Sequence, residues 1–417
     1  MRLNSQLISL AKRVWRLIPA TARAWFWRHE PDFYLARSAR SAPAGAPIVI
    51  AGLFRSATGI GASARSTYRA LKAAGLNPIA VDITETSLAA DIESDVPLSP
   101  MPQTRHGTLL LQLNAPEARH ALRALGLFRG SAWRIIGYWA WELEVFPAGW
   151  SRTFHHFNEI WCVSDFVTDA IRAHPAAPRV RSVPLPIAPL AFGNEEATDR
   201  NAFPYRRKDN LFTVLTMADG LSSFERKNPI GAIRAFLKAF DNDPDCRLIV
   251  KTRNIDLHPT FRDALQAAIG DAKNVDVFDA SLSSDDYWRL MSTIDVFLSL
   301  HRAEGFGMPI AEAMSVGAPA VATRYSGNLM FMDDENGQLV KSEPTPVSDP
   351  FKVYNIKNAF WADPDLEDAA QCLRALYDDP KLRARLAKKS RETIEHHFSF
   401  EAVGRRMATA LADKSSM

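Results

Sequence analysis

The feature that most restricts the fold is an alternation of short apolar runs with amphipathic stretches, broken once near the middle of the chain. Residues 48–53, 79–83, 108–113, 134–138 and 159–163 are each too short for a helix and apolar enough for a strand buried on both faces. The stretches between them can each hold a helix, and this order builds a parallel sheet with helical crossovers. A polar stretch, residues 193–210, interrupts the pattern, which restarts with 211–217, 247–252, 275–278, 296–300 and 320–323. At 417 residues the chain exceeds what one core organises, so two doubly wound α/β domains are predicted. Ligands of such sheets lie at the carboxyl ends of the strands, which places the site in a central cleft between the two.

Composition excludes several classes. A net charge of +3 spread along the chain gives no footprint for nucleic acid. Cys162, Cys246 and Cys372 are odd in number and form no pair, which argues against a disulfide framework or a cysteine metal site and for a reducing, cytoplasmic compartment. No apolar run is long enough to span a membrane. Residues 1–30 differ from the rest. Leu7, Leu10, Ala11, Val14 and Ile18 recur at helical spacing opposite Lys12, Arg13 and Arg16, and Trp15, Trp25, Phe26 and Trp27 follow. Two readings stand: a helix lying on an anionic membrane surface, making the protein peripheral on the inner face of the cytoplasmic membrane, or a helix packed on the protein's own domain.

The densest chemical signal is HRAEGFGMPIAEAMSVGAP, residues 301–319, which directly follows an apolar run. Gly305 and Gly307 permit a tight turn and close approach of backbone to a ligand. Pro309 suits a first helical turn and Gly317 a helix end. A helix starting near Met308 points backbone N–H groups and its positive dipole end at the cleft, where a diphosphate fits. Glu304 on the loop and Glu312 about one turn into the helix can border one pocket, and carboxylates accept hydrogen bonds from sugar hydroxyls. Taken alone, Glu312 also reads as a first-turn acid favoured by the helix dipole.

In these residues the chain resembles family 4, also called group 1, of the retaining GT-B glycosyltransferases, whose hallmark is E-x7-E within EGFG-x-P-x-x-EAM-x-x-G-x-P. The resemblance implies that Glu312 binds the ribose hydroxyls, that Glu304 binds the transferred sugar near its O3, and that the backbone of Gly305, Phe306, Gly307 and Met308 lines the donor. TGIGASARSTYRALKAAG, residues 58–75, is similar to the family's N-terminal glycine loop and first helix, which implies an amide at Gly61 near the donor diphosphate. FERKNPIGAIRAFLKAF, residues 224–240, resembles the segment whose lysine lies below that diphosphate, and Lys227 matches it. The arginine that usually precedes this lysine is replaced by Leu221 and Ser222, leaving Arg226 or Arg253 to supply the second charge. The implied organisation is an extension and linker over 1–46, an acceptor-side domain over 47–200, a donor-binding domain over 201–395, and a C-terminal helix over 396–417 that crosses back to the first domain.

The acceptor side is carried by RIIGYWAWELEVFPAGW, residues 134–150, which lacks the histidine many family members hold near the anomeric carbon. Trp139, Trp141 and Glu142 are candidates for an acceptor subsite; a buried aromatic cluster under the cleft is the other reading. Asp241, Asn242 and Asp243 spell a metal-binding D-x-D, but their place before the amino end of a strand makes them a solvated turn. His155 and His156 are adjacent and would point different ways on a helix, so no metal is expected. The expected activity is metal-independent sugar transfer with retention, from a nucleotide-sugar co-substrate and without a further cofactor. The acceptor is a glycan or a lipid-linked glycan, in cell-surface polysaccharide biosynthesis. A non-catalytic nucleotide-sugar scaffold, a GT-B epimerase and a phosphorylase are the rival readings.

Overall fold

The computed structural model describes residues 32–87, 90–187, 211–220, 222–350 and 352–413. The basic segment 1–30, the polar break and Leu221 lie outside the described residues. The first sheet contains β1 (Ile48–Gly52), β2 (Ile79–Asp82), β3 (His106–Gln112), β4 (Ala132–Trp139), β5 (Glu159–Cys162) and β6 (Arg179–Ser182). All pairs are parallel, in the order β2-β1-β3-β4-β5-β6. The second contains β7 (Phe212–Asp219), β8 (Cys246–Arg253), β9 (Val275–Asp279), β10 (Val296–Ser299), β11 (Ala320–Thr323) and β12 (Gln338–Val340). It is also parallel, in the order β12-β11-β10-β7-β8-β9. An antiparallel hairpin, β13 (Ser342–Pro346) and β14 (Phe360–Pro364), follows it.

Helices cover the sheets: α1 (Gly59–Ala73), α2 (Ala115–Ala124) and α3 (Asp165–Arg172) in the first domain. The second holds α4 (Phe224–Lys227), α5 (Pro229–Phe240), α6 (Pro259–Ile269), α7 (Ser284–Thr293) and α8 (Met308–Ser315). The C-terminal helices are α9 (Leu366–Asp378), α10 (Pro380–His397) and α11 (Phe400–Ala412). The predicted strands recur because covering a sheet on both faces demands continuous apolar runs, and Val49, Ile50, Leu109, Leu110 and Leu111 are fully buried. β6 was not predicted: its sequence is RVRS, and an edge strand that is only partly buried on both faces accommodates the arginines.

The chain returns to the first domain at its far end. Ile187 N donates to Phe398 O at 2.6 Å, and α11 then lies against α1. A Cβ at Gly404 would come within 2.1 Å of Ala70 O, so only glycine allows this approach. Arg134 donates to Leu411 O at 2.7 Å, while Arg179 and Arg181 reach Asp413 Oδ2 at 2.6 and 2.8 Å. At the other end, the extension expected over 1–46 belongs to the domain from Asp32 onward. Leu35 and Ala36 are buried, Ala39 N donates to Trp133 O at 2.8 Å, and Ile135 N donates to Ser38 Oγ at 2.7 Å. Satisfying these backbone groups ties the segment along β4 rather than leaving it as linker.

Candidate active site

The carboxyl ends of the two sheets face each other across a cleft of about 570 Å³. The first domain contributes Gly59, Arg65 and Arg69 from α1; the second contributes Lys227, Lys251, Arg253, Tyr287, Met308 and Glu312.

Lys227 ends the single turn α4, which Ser223 caps by accepting from Arg226 N. Asn228 follows in a left-handed conformation at φ 51°, and its Nδ2 donates to Leu300 O at 2.9 Å, fixing the turn to the end of β10. Lys227 thereby reaches Glu304, to which it donates a short hydrogen bond. Arg226 approaches the other carboxylate oxygen at 3.2 Å and also donates to Ala303 O at 2.7 Å. Burial opposes ionisation of Glu304, yet the charges of Lys227 and Arg226 outweigh it and hold the carboxyl at about 2. Arg226 is 4% exposed, so the surface-charge reading fails and its role is to anchor Glu304 from behind. Its guanidinium also lies 5.6 Å from the ring of Tyr354.

The loop carrying Glu304 is over-determined. Glu304 N donates to Ser326 Oγ at 2.8 Å, Gly327 N to Glu304 O at 2.9 Å, and Ser164 of the first domain to Gly305 O at 2.5 Å. Buried His301 donates from Nε2 toward Tyr325 O at 3.2 Å and so accepts from Ser299 at Nδ1. Gly307 adopts φ 90° and starts α8. The helix start is sparser in donors than the sequence suggested: Pro309 has no N–H, and that of Ile310 turns back to Gly307 O at 3.0 Å. Met308 N has no acceptor among the described residues and lies at the cleft. The Phe306 ring packs on Phe331 and Phe398, so only its backbone can face a donor.

Glu312 lines the cleft, and Tyr287 of α7 donates a short hydrogen bond to it. Burial pushes the Glu312 carboxyl up to about 7, against the lowering effect of that bond. The two glutamates thus sit in opposite electrostatic settings: Glu304 is locked as an anion, whereas Glu312 is balanced between acid and anion. Tyr287 was missed in the sequence because a tyrosine in a polar helix has no distinguishing signal. Lys251, near the carboxyl end of β8, was missed as well. It donates to Thr252 O at 2.5 Å and to Ala280 O, and burial lowers its amine to about 8.

Other candidates fall differently. Arg253 lines the cleft but is paired with Asp219 at 2.6 Å, which leaves it part of its charge for a ligand. Gly61 does not face the cleft: its N–H donates to Thr58 Oγ1 at 3.3 Å, and Ser56 O and Leu53 O fill the space where a side chain would stand. The glycine there serves close packing, and Gly59 takes its place, with a Cβ position 3.6 Å from Met308 Cε across the cleft. Trp139 is fully buried among Phe146, Phe154 and Phe157, so it supports the wall instead of touching an acceptor. Trp141 is buried against Trp150 and Tyr354, and Glu142 accepts from Tyr354 at 3.0 Å. These two residues join the domains behind Glu304. Asp241 to Asp243 form the turn before β8, where Asn242 accepts from Lys273 N at 2.9 Å.

Comparison with known proteins bears on the fold and on the second domain. Residues 221–393 match the family described as glycosyl transferases group 1. The chain is 30% identical over 131 residues to the lipopolysaccharide core biosynthesis glycosyltransferase LpsE of Rhizobium meliloti (strain 1021), covering 31% of this chain and 32% of that one. The matched region therefore spans about a third of that relative's length. Among solved structures, HepE of Anabaena in complex with UDP and glucose superposes with a TM-score of 0.61 at 13% identity, over 88% of this chain and 100% of that one. Sucrose-phosphate synthase from Thermosynechococcus elongatus gives 0.61 at 15%, over 88% and 98%. At such identities the likeness is one of fold. The chain is a two-domain protein of GT-B fold, and its residues 221–393 match the group 1 glycosyl transferases.

Proposed function

We propose that the protein transfers a sugar from a nucleotide-sugar donor to a glycan or lipid-linked glycan acceptor, with retention of anomeric configuration and without a metal ion. The observation that carries the reading is that Lys227 and Glu312 line one cleft and that Lys227 is paired with the buried, ionised Glu304. As the glycosidic bond breaks, negative charge gathers on the leaving diphosphate, and preorganised donors facing it lower the barrier. Lys227 supplies a full charge, held in place by Glu304; Arg253 and the amide of Met308 add to it. Glu304, acceptor-only as an anion, retains lone pairs for hydroxyls of the transferred sugar. Glu312 accepts from the ribose hydroxyls. No carboxylate is assigned as a covalent nucleophile, and a donor phosphate oxygen takes the acceptor's proton in a front-face attack. Retention and family 4 membership rest on the E-x7-E resemblance. The lipopolysaccharide relative supports a cell-surface polysaccharide as product, and the basic, tryptophan-rich segment 1–30 supports work at the inner face of the cytoplasmic membrane.

The test is a panel of nucleotide sugars read by thermal stabilisation, followed by donor turnover with and without candidate glycan acceptors. A protein that binds one donor and releases its sugar fits transfer. Binding without any turnover would favour the scaffold reading, and stabilisation by none would refute both.

A further inference from the structure

On the edge of the first sheet opposite the cleft, Asp32, His155 and His156 converge. The two histidines end the 3-10 turn Ala148–His156, just before β5, and their ring centroids lie 4.0 Å apart. The tighter turn and the following extended residue bring both rings toward one carboxylate, contrary to the divergence expected on an α-helix. His156 Nε2 is 3.2 Å from Asp32 Oδ2 and His155 Nε2 is 3.5 Å from the same oxygen, with all three ligand atoms within 4.8 Å of one another.

Buried His156 places Nδ1 2.8 Å from Ala36 O, and a carbonyl can only accept, so Nδ1 carries a proton. A neutral ring then turns the lone pair of Nε2 straight at the Asp32 carboxylate. Either a proton on Nε2 or a metal ion between the nitrogen and the carboxylate satisfies both. Zinc bonds of about 2.0–2.2 Å set tetrahedral neighbours roughly 3.3–3.6 Å apart, close to the spacings found. The Nδ1–H to carbonyl bond is also the arrangement that orients a ligating imidazole. Arg37 places a positive charge near His155, which a dication must outweigh.

We propose that Asp32, His155 and His156 bind a divalent transition metal, with zinc favoured by the two-imidazole, one-carboxylate donor set, and that this metal staples the segment entering the first domain to the amino edge of its sheet. The site is structural: it stands away from the cleft, and water completes the coordination.

The experiment uses untagged full-length protein, freed of metal by a chelator, titrated with Zn²⁺ by calorimetry and with Co²⁺ by visible absorption. One equivalent should bind with tetrahedral cobalt bands and a raised melting temperature. Asp32→Asn and His155→Gln, both at side chains reachable from solvent, should each weaken that binding on the order of tenfold or more while leaving the metal-free melting temperature nearly unchanged. Absence of zinc binding in the wild type, or equal affinity in both variants, overturns the proposal and leaves a proton shared by His156 and Asp32 as the account of the geometry.

Discussion

Because burial places the Glu312 carboxyl at about 7, donor binding should depend on pH in a range where the donor does not titrate. The diphosphate of a nucleotide sugar is esterified at both ends and keeps its charge through neutrality. If the carboxylate is the form that accepts from the ribose hydroxyls, only the ionised fraction binds well, and the apparent Kd is the intrinsic one divided by that fraction. A group titrating at about 7 is roughly nine-tenths ionised at pH 8 and about one-tenth at pH 6, so Kd should rise about tenfold between them, or about 1.4 kcal/mol. Calorimetric titration of the wild type with its donor at pH 6, 7 and 8 measures this directly. Glu312→Gln should bind more weakly at pH 8 and lose the slope. Tyr287→Phe removes the hydroxyl that favours the anion and should move the midpoint upward. A flat wild-type profile, or an unchanged slope in Glu312→Gln, would refute the assignment. The unliganded protein gives a second check. A carboxyl raised from 4.5 contributes fully to stability below 4.5, and that contribution is lost as pH rises through about 7.

Lys227→Ala should lower turnover by about 100- to 1000-fold, the usual cost of removing one preorganised electrostatic donor, and Lys227→Arg should restore part of it; a loss below about fivefold would remove Lys227 from the mechanism. Glu304 has the opposite linkage to Glu312: its lowered carboxyl stabilises the fold above 4.5 and loses that effect as pH falls through about 2, so Glu304→Gln should flatten acid unfolding monitored by circular dichroism. Arg226→Met should raise the pH of that acid transition, since one of the two charges holding Glu304 ionised is gone. EDTA should leave kcat unchanged, because the cation site inferred above stands away from the cleft; chelator-sensitive transfer at constant fold would contradict this. Deleting residues 1–31 should abolish sedimentation with anionic vesicles, whereas a cut at 40 would also remove buried Leu35 and unfold part of the first domain.

The parts of this architecture that were readable in the sequence are those set by local chemistry. Strands covered on both faces announce themselves as apolar runs, and the turn at Gly307 needs a residue tolerant of φ 90°, so both leave direct traces. What was not readable depends on partners distant in the chain. Arg226 in FERK looks like a surface charge until Glu304, 78 positions away in sequence, supplies the carboxylate that buries it. Trp139 and Trp141 are equally suited to a sugar platform or a core, and only the rings around them decide. Gly61 matched a loop pattern, but whether its amide faces ligand or Thr58 is a matter of half a turn of helix.

The return of α11 to the first domain has a consequence for the order of synthesis. Arg134 and Arg181 pair with Glu159 within the first domain, but together with Arg179 they also reach Leu411 and Asp413, residues made after the whole second domain. On the ribosome the first sheet therefore emerges with its α1 face uncovered where Gly404 will dock. It waits in that state while more than two hundred further residues are added. The first domain to be made is therefore the last to gain its full set of contacts.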